Sequence, residues 1–185
     1  MFISIDVGIK NLAYIIFDDN KIIEWNVIEL CDKKVNAGKV NMIEIGIGLY
    51  NALNNIRQDI DTIIIENQIG QNAIRMKSIQ GMITFYYISK GNSNIIYWNP
   101  INKLKRYNQK TKKTYTQRKK DSVSITKLLI QEHYGYFETY FNSHKKKDDL
   151  ADCFLQLIDY LDKEQKLSST FFEESIKKYN AIDLK

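Results

Sequence analysis

The chain has 185 residues, enough for one domain with a substantial core. Hydrophobic residues make up 44% and aromatics 12%, which excludes a disordered chain. The formal net charge is +5 and the pI about 9.0, a basic excess whose meaning depends on where it lies.

No stretch reaches the ~18 apolar residues of a membrane helix. Residues 2–9 are apolar, but Asp6 interrupts them and no basic run precedes them, unlike a secretory signal. Cys31 and Cys153 lack C-x-x-C spacing and read as free thiols of a reducing compartment. With His133 and His144 the only histidines, the composition speaks against a Cys/His zinc site.

Residues 2–7 are rich in Ile, Val and Phe and read as a buried strand. Residues 12–18 and 21–28 read as two more, joined by the turn-forming Asp18-Asp19-Asn20. Val40, Ile43, Ile47, Tyr50, Leu53 and Ile60 then recur at helical spacings. Thr62-Ile63-Ile64-Ile65 is wholly apolar and ends in Glu66, the pattern of a strand covered on both faces. A second helix is expected near 72–90, with Ala73, Met76, Ile79, Ile83 and Tyr87 as its stripe. Gly81 within it costs about 1 kcal/mol relative to Ala, which close packing would explain, an irregular helix being the alternative. Residues 95–98 form a fifth strand, stopped by Asn99-Pro100.

Residues 101–120 hold nine Lys and Arg and no acid, and read as a loop or frayed helix. Asp121 or Ser122 then caps a helix to about 133. An aromatic connection over 134–143 leads to a helix from Lys147, striped by Leu150, Phe154, Leu157 and Leu161. A short helix over Phe171–Tyr179 closes the chain. The fold class is therefore α/β, one mixed five-stranded sheet with helices on both faces, in a single domain over 1–185.

Acids stand where few are expected. Asp6 is at the end of the first strand, Glu66 ends the fourth, and Asp148, Asp149 and Asp152 open the last long helix. A charged carboxylate at a buried strand end is disfavoured unless paired. Carboxylates brought together raise each other's pKa. A divalent cation relieves both problems, and Mg²⁺ or Mn²⁺ prefers such oxygen donors. Two ions ~4 Å apart can activate a water and stabilise the leaving oxygen of a phosphodiester. Each acid also has a plain reading, as a turn residue or as a cap and dipole partner. On the last helix Asp149 and Asp152 lie about 60° apart and Asp148 and Asp152 about 40°, so angle leaves Asp148 open. Asp149 lies nearer the apolar stripe, which favours it as the ligand and Asp148 as the cap.

Four segments together carry a resemblance. Asp6-Val7-Gly8-Ile9-Lys10-Asn11-Leu12-Ala13 resembles the first-strand motif of RuvC-like Holliday junction resolvases, with Asn11 as in the poxvirus and mitochondrial branch. Ile63-Ile64-Ile65-Glu66-Asn67-Gln68 is similar to the second motif, and Lys146-Lys147-Asp148-Asp149-Leu150-Ala151-Asp152 to the last. Tyr115-Thr116-Gln117-Arg118-Lys119-Lys120 resembles the basic segment of the poxvirus members. The resemblance implies an RNase H-like fold, a homodimer, and paired nicks in four-way DNA junctions with Mg²⁺ or Mn²⁺, two ions per site. It assigns catalysis and metal binding to Asp6, Glu66, Asp149 and Asp152. It also implies a lysine near the scissile phosphate, with Lys119 preferred and Lys120 the alternative. A viral origin would place the protein in host cytoplasm; otherwise it is expected inside the cell.

The basic segment suits such a substrate, because Lys and Arg bind phosphates without reading sequence. Lys112, Lys113, Tyr115, Arg118, Lys119 and Lys120 are the expected DNA contacts, and Tyr107 and Tyr115 are candidates for base stacking. Lys145, Lys146 and Lys147 add to that surface or solvate a loop. Tyr86, Tyr87 and Trp98 are expected in the core or a dimer contact, and Cys153 as a buried apolar residue. Other readings are a nuclease of RNA–DNA hybrids or flaps, and a non-catalytic junction-binding subunit. A sugar kinase or actin-like ATPase shares Asp-x-Gly in its first strand, but needs a second Gly-rich phosphate loop and a longer chain.

Overall fold

The computed structural model describes residues 1–32, 34–70, 73–99, 101, 103–107 and 113–183, the side chains of 182 and 183 excepted. The chain forms two compact units, residues 1–99 and 100–185.

The first unit is a sheet with two helices: β1 (Phe2–Val7), β2 (Asn11–Asp18), β3 (Lys21–Glu29), α1 (Met42–Asn54), β4 (Thr62–Glu66), α2 (Ile74–Ser89) and β5 (Ile95–Trp98). The order across the sheet is β3-β2-β1-β4-β5. β1, β2 and β3 run antiparallel, while β4 is parallel to both β1 and β5. Asp19 (φ 43°) and Asn20 (φ 58°) turn β2 into β3 in the left-handed region, which short polar side chains tolerate. The mixed five-stranded sheet is the one the sequence predicts.

Both faces of the sheet are buried. On one, Ile3, Ile5, Ile63 and Ile65 pack with Ile45, Leu49 and Leu53 of α1 and with Ile79, Ile83 and Tyr87 of α2. On the other, Ser4, Ile15 and Ile64 are wholly buried. The stripe expected from the sequence holds at Leu53, and at Val40 and Ile60 outside α1, which are buried, but not at its middle. Ile43, Ile47 and Tyr50 are exposed, and Ile45, Leu49, Ala52 and Leu53 face the sheet. Apolar residues run around most of this helix, so spacing alone picks no face. Asn41 caps it, its side chain accepting the Ile43 N–H at 2.9 Å.

Two glycines differ in what they do. A Cβ on Gly8 would lie 2.7 Å from the Asn11 carbonyl oxygen, inside the tight link from β1 to β2. A Cβ on Gly81 would meet nothing within 4 Å, so the expected packing reason does not hold there. Gly8→Ala is expected to lower stability by about 1–3 kcal/mol. Gly81→Ala is expected to raise it by up to about 1 kcal/mol, since the helix gains a better former. Urea midpoints of the two variants check the opposite signs.

The second unit is helical: α3 (Tyr115–His133), α4 (Glu138–Ser143), α5 (Lys147–Lys163) and α6 (Glu173–Asp183). α3 begins six residues before the expected cap at Asp121. Thr114 and Gln117 form a capping box, the Thr114 Oγ1 accepting the Gln117 N–H and the Gln117 side chain accepting the Thr114 N–H. Lys and Arg are good helix formers, so the basic run continues the helix. The 134–143 connection is a 3-10 turn (Gly135–Phe137) followed by α4, pinned by the buried Phe141. α5 starts where predicted and buries Leu150, Phe154, Leu157 and Leu161.

Candidate functional site

In the first unit, Asp6 and Glu66 follow Ile5 and Ile65, which are partners in the parallel β1–β4 ladder. Side chains alternate along a strand, so Asp6 and Glu66 point to the same face, opposite the α1–α2 core. Both are half-buried and stand at the carboxyl ends of neighbouring strands. Such strand ends are where open α/β sheets place their ligands. A pocket of about 230 Å³ opens at the other end of β4, lined by Leu53, Ile60, Tyr86 and Tyr87, and holds neither acid.

Glu66 is held in place by its neighbours. The Gln68 Nε2 donates to Glu66 Oε2 at 2.7 Å. The Gln68 backbone N–H in turn donates to the Oε1 of Gln80 on α2 at 2.9 Å. Gln68 and Gln80 are both buried. Substitution of such a supporting partner typically costs 10–100-fold in metal affinity or activity. Gln68→Leu is therefore expected to raise the Mn²⁺ concentration for half-maximal cleavage about 10–100-fold. Binding of DNA in chelator is the control and should not change.

In the second unit, Asp148, Asp149 and Asp152 project from the first turns of α5 among three lysines. The Lys119 Nζ lies 2.5 Å from Asp148 Oδ2 and 4.0 Å from Asp149 Oδ1. The Lys146 Nζ is 3.5 Å from Asp149 Oδ2, and the Lys103 Nζ is 2.7 Å from Asp152 Oδ1. Asp148 is not the helix cap: that position is Lys146, with no side-chain cap bond. Asp149 is more buried than Asp148, at 16% against 30% side-chain exposure, as the helix geometry predicts.

Burial tends to raise both carboxyls. At Asp148 the Lys119 ammonium outweighs it and holds the group below the usual carboxylate range. At Asp149 burial prevails, aided by the Asp148 charge, and the carboxyl is raised. Lys119 is also half-buried, which tends to lower its pKa, yet its bonds to Asp148 and Tyr115 raise it overall.

These oxygen donors suit Mg²⁺ or Mn²⁺. The Asp149 carboxyl is raised chiefly by its burial and then by the Asp148 charge, and a cation would relieve both. Within either unit, among the described residues, no three His, Cys, Asp or Glu side chains form a cation-binding group. Each unit offers a pair of the expected ligands: Asp6 with Glu66, and Asp149 with Asp152.

Of the expected DNA contacts, Tyr115, Arg118 and Lys120 are exposed at the start of α3. The Lys119 Nζ lies 5.4 Å from the Tyr115 ring centre. Lys113 is turned inward, 12% exposed and 3.1 Å from Asp121. Lys112 lies outside the described residues. Tyr107 is buried and cannot stack on a base. Tyr87 and Cys153 are buried as expected. Sequence reading missed the Lys103–Asp152 pair. Its only signal was that Lys103 opens the acid-free basic segment.

A mixed sheet in the order 3-2-1-4-5, with acids ending its first and fourth strands, defines the RNase H-like class of folds. The sequence pattern of the family described as "Poxvirus A22 protein" matches residues 1–164, and the chain belongs to that family. A Holliday junction resolvase of fowlpox virus (strain NVSL) is 29% identical over 164 residues, covering 86% of this chain and 90% of the relative. The uncharacterized protein L451 of Acanthamoeba polyphaga mimivirus is 31% identical over 122 residues, 56% of this chain and 29% of that protein. Among solved structures, fowlpox virus resolvase in complex with Holliday junction DNA is similar with a TM-score of 0.60 at 22% identity. The match covers 88% of this chain and 99% of that one. T. thermophilus RuvC with a junction substrate has a TM-score of 0.54 at 15% identity, covering 88% and 94%. Among the described residues no helix is long and apolar enough to cross a membrane.

Proposed function

We propose that this chain is a Holliday junction resolvase, a structure-selective endonuclease that cuts four-way DNA junctions by paired hydrolysis of phosphodiesters. One observation carries this reading. Asp6 and Glu66 share a face at neighbouring strand ends, in a chain of the poxvirus A22 family whose fowlpox relative bears that name.

As the resemblance implies, Asp6, Glu66, Asp149 and Asp152 would be the ligands of Mg²⁺ or Mn²⁺, two ions per site. Bound there, the ions would supply electrostatic stabilisation of the attacking and leaving oxygens. Gln68 orients Glu66. Lys119 carries positive charge to the edge of the α5 acids, where it can meet a scissile phosphate. Tyr115, Arg118 and Lys120, with Lys112, bind the DNA backbone, which gives affinity for shape and charge rather than sequence. A homodimer supplies two sites, matching the two strands that a four-way junction needs cut. In an infected cell the protein acts in host cytoplasm.

The test is cleavage of a labelled synthetic four-way junction with and without Mg²⁺ or Mn²⁺. Symmetric nicks that leave ligatable duplexes, and that chelation abolishes, are expected. Cleavage of RNA–DNA hybrids or flaps but not junctions would keep the metal site and reject the substrate. Tight junction binding without cleavage under either metal would reduce the chain to a structural subunit.

A further inference from the structure

The family match ends at residue 164, and α6 lies beyond it. The residues of this tail that turn inward are nonetheless buried: Phe171, Phe172, Ser175 and Tyr179. Phe171 stacks on His133 at the end of α3, at 4.0 Å between ring centres, while the other three touch the basic segment. The Tyr107 hydroxyl lies 2.9 Å from the Ser175 hydroxyl, and its ring meets that of Tyr179 edge-on at 5.5 Å. The Arg106 guanidinium sits 4.8 Å from the centre of the Phe172 ring and pairs with Asp162. The Lys113 ammonium donates to the Tyr179 hydroxyl at 3.2 Å.

Tyr179 therefore touches the chain at two points six residues apart, Tyr107 and Lys113. Immediately after the second point, α3 presents Tyr115, Arg118, Lys119 and Lys120. A lysine turned inward beside tyrosines is costly unless its charge is matched. Here Asp121, at 3.1 Å, and the Tyr179 hydroxyl match it. An apolar residue would fill the same space without needing either partner. The lysine makes sense as a tie between α6 and the start of α3.

We propose that α6 is a brace for the DNA-contacting surface, with Tyr179 as its positioning residue. It fixes Tyr107 and Lys113, and through Lys113 the place of the first turn of α3, before DNA arrives. The ligand it serves is the phosphate backbone of branched DNA. Fixing the surface in advance reduces the ordering that binding requires. The inference rests on the DNA-binding part of the reading above and goes beyond it, because it gives the tail a role in affinity.

The experiment uses the full chain in chelating buffer, where binding is measured without cleavage. Tyr179→Ala is expected to raise the Kd for a four-way junction about tenfold, and Tyr179→Phe, which loses only the hydroxyl, by a smaller factor. Both should speed tryptic cleavage after Arg106 and after Lys113. With metal present, the loss should fall on Kd rather than on the single-turnover rate at saturating protein. Phe141→Leu, in the buried core of α4, is the control for stability alone; it should lower the melting temperature and leave Kd as it was. The proposal fails if Tyr179→Ala binds like the wild type, or if Phe141→Leu weakens binding as much at equal loss of melting temperature. Should Tyr179→Ala not fold, Tyr179→Phe decides on the same two readouts. A wild-type chain that does not bind the junction refutes the DNA-binding reading itself, and the tryptic cleavage still shows whether α6 braces the segment.

Discussion

Asp149→Asn is expected to lower metal-dependent junction cleavage on the order of 10³-fold, equivalent to about 4 kcal/mol of lost transition-state stabilisation. Junction binding in chelator should persist. The same substitution should raise the melting temperature of the metal-free chain at neutral pH. Burial, with the Asp148 charge beside it, raises the Asp149 carboxyl, so its charged form is disfavoured in the folded chain. That penalty is absent below the unfolded carboxylate value of about 4 and fully present above the raised folded value. Removing the charge removes the penalty, so the gain should vanish in a scan at about pH 3. Asp148→Asn should behave in the opposite way. Lys119 holds the Asp148 carboxyl low, so Asp148 contributes stability above about pH 4 that is lost as pH falls. A stabilised but inactive Asp149 variant beside a destabilised Asp148 variant would separate the ligand from its neighbour. An active Asp149→Asn chain would remove Asp149 from the site.

The strands were legible because each is a short apolar run between turn residues, and because Asp6 and Glu66 end two of them. The relative burial of the α5 acids was legible for a similar reason: Asp149 lies nearer the apolar stripe and is the more buried, although the cap position expected of Asp148 falls to Lys146. Three features were not legible. The buried face of α1 was misplaced because Ile43 and Ile47 are as apolar as Ile45 and Leu49, and only contact with the sheet distinguishes them. The start of α3 was misplaced because a Lys- and Arg-rich run reads equally as a loop or a frayed helix, while the deciding signal was the Thr114–Gln117 box. The Lys103–Asp152 pair joins residues 49 apart in sequence, and no local pattern encodes such a contact. The α6 contacts with Tyr107 and Lys113 are of the same long-range kind, and they turned two expected DNA contacts into internal ones.

Lys119→Gln is expected to reduce cleavage about 10²-fold, the usual loss when one preorganised donor is removed from a charge-stabilising site. Lys120→Gln should cost only a few-fold in DNA affinity and lower the salt slope by about 1, as for one exposed phosphate contact. The difference follows from direction. The Lys119 ammonium points at the α5 acids, whereas Lys120, one residue on, is exposed. Lys119 has two possible uses, since its ammonium both neutralises Asp148 and can meet a phosphate. A double-mutant cycle with Asp148→Asn separates them. If Lys119 serves only as a counter-charge, removing the Asp148 charge as well restores cleavage. If Lys119 meets the substrate, Asp148→Asn alone stays active and the double variant stays as slow as Lys119→Gln. The second outcome is expected, because Lys146, 3.5 Å from Asp149 and also acting on Asp148, remains as a counter-charge when Lys119 is lost. Restoration by the double variant would instead make Lys119 a structural partner, and the phosphate-facing lysine would have to be sought at Lys103, whose ammonium reaches Asp152.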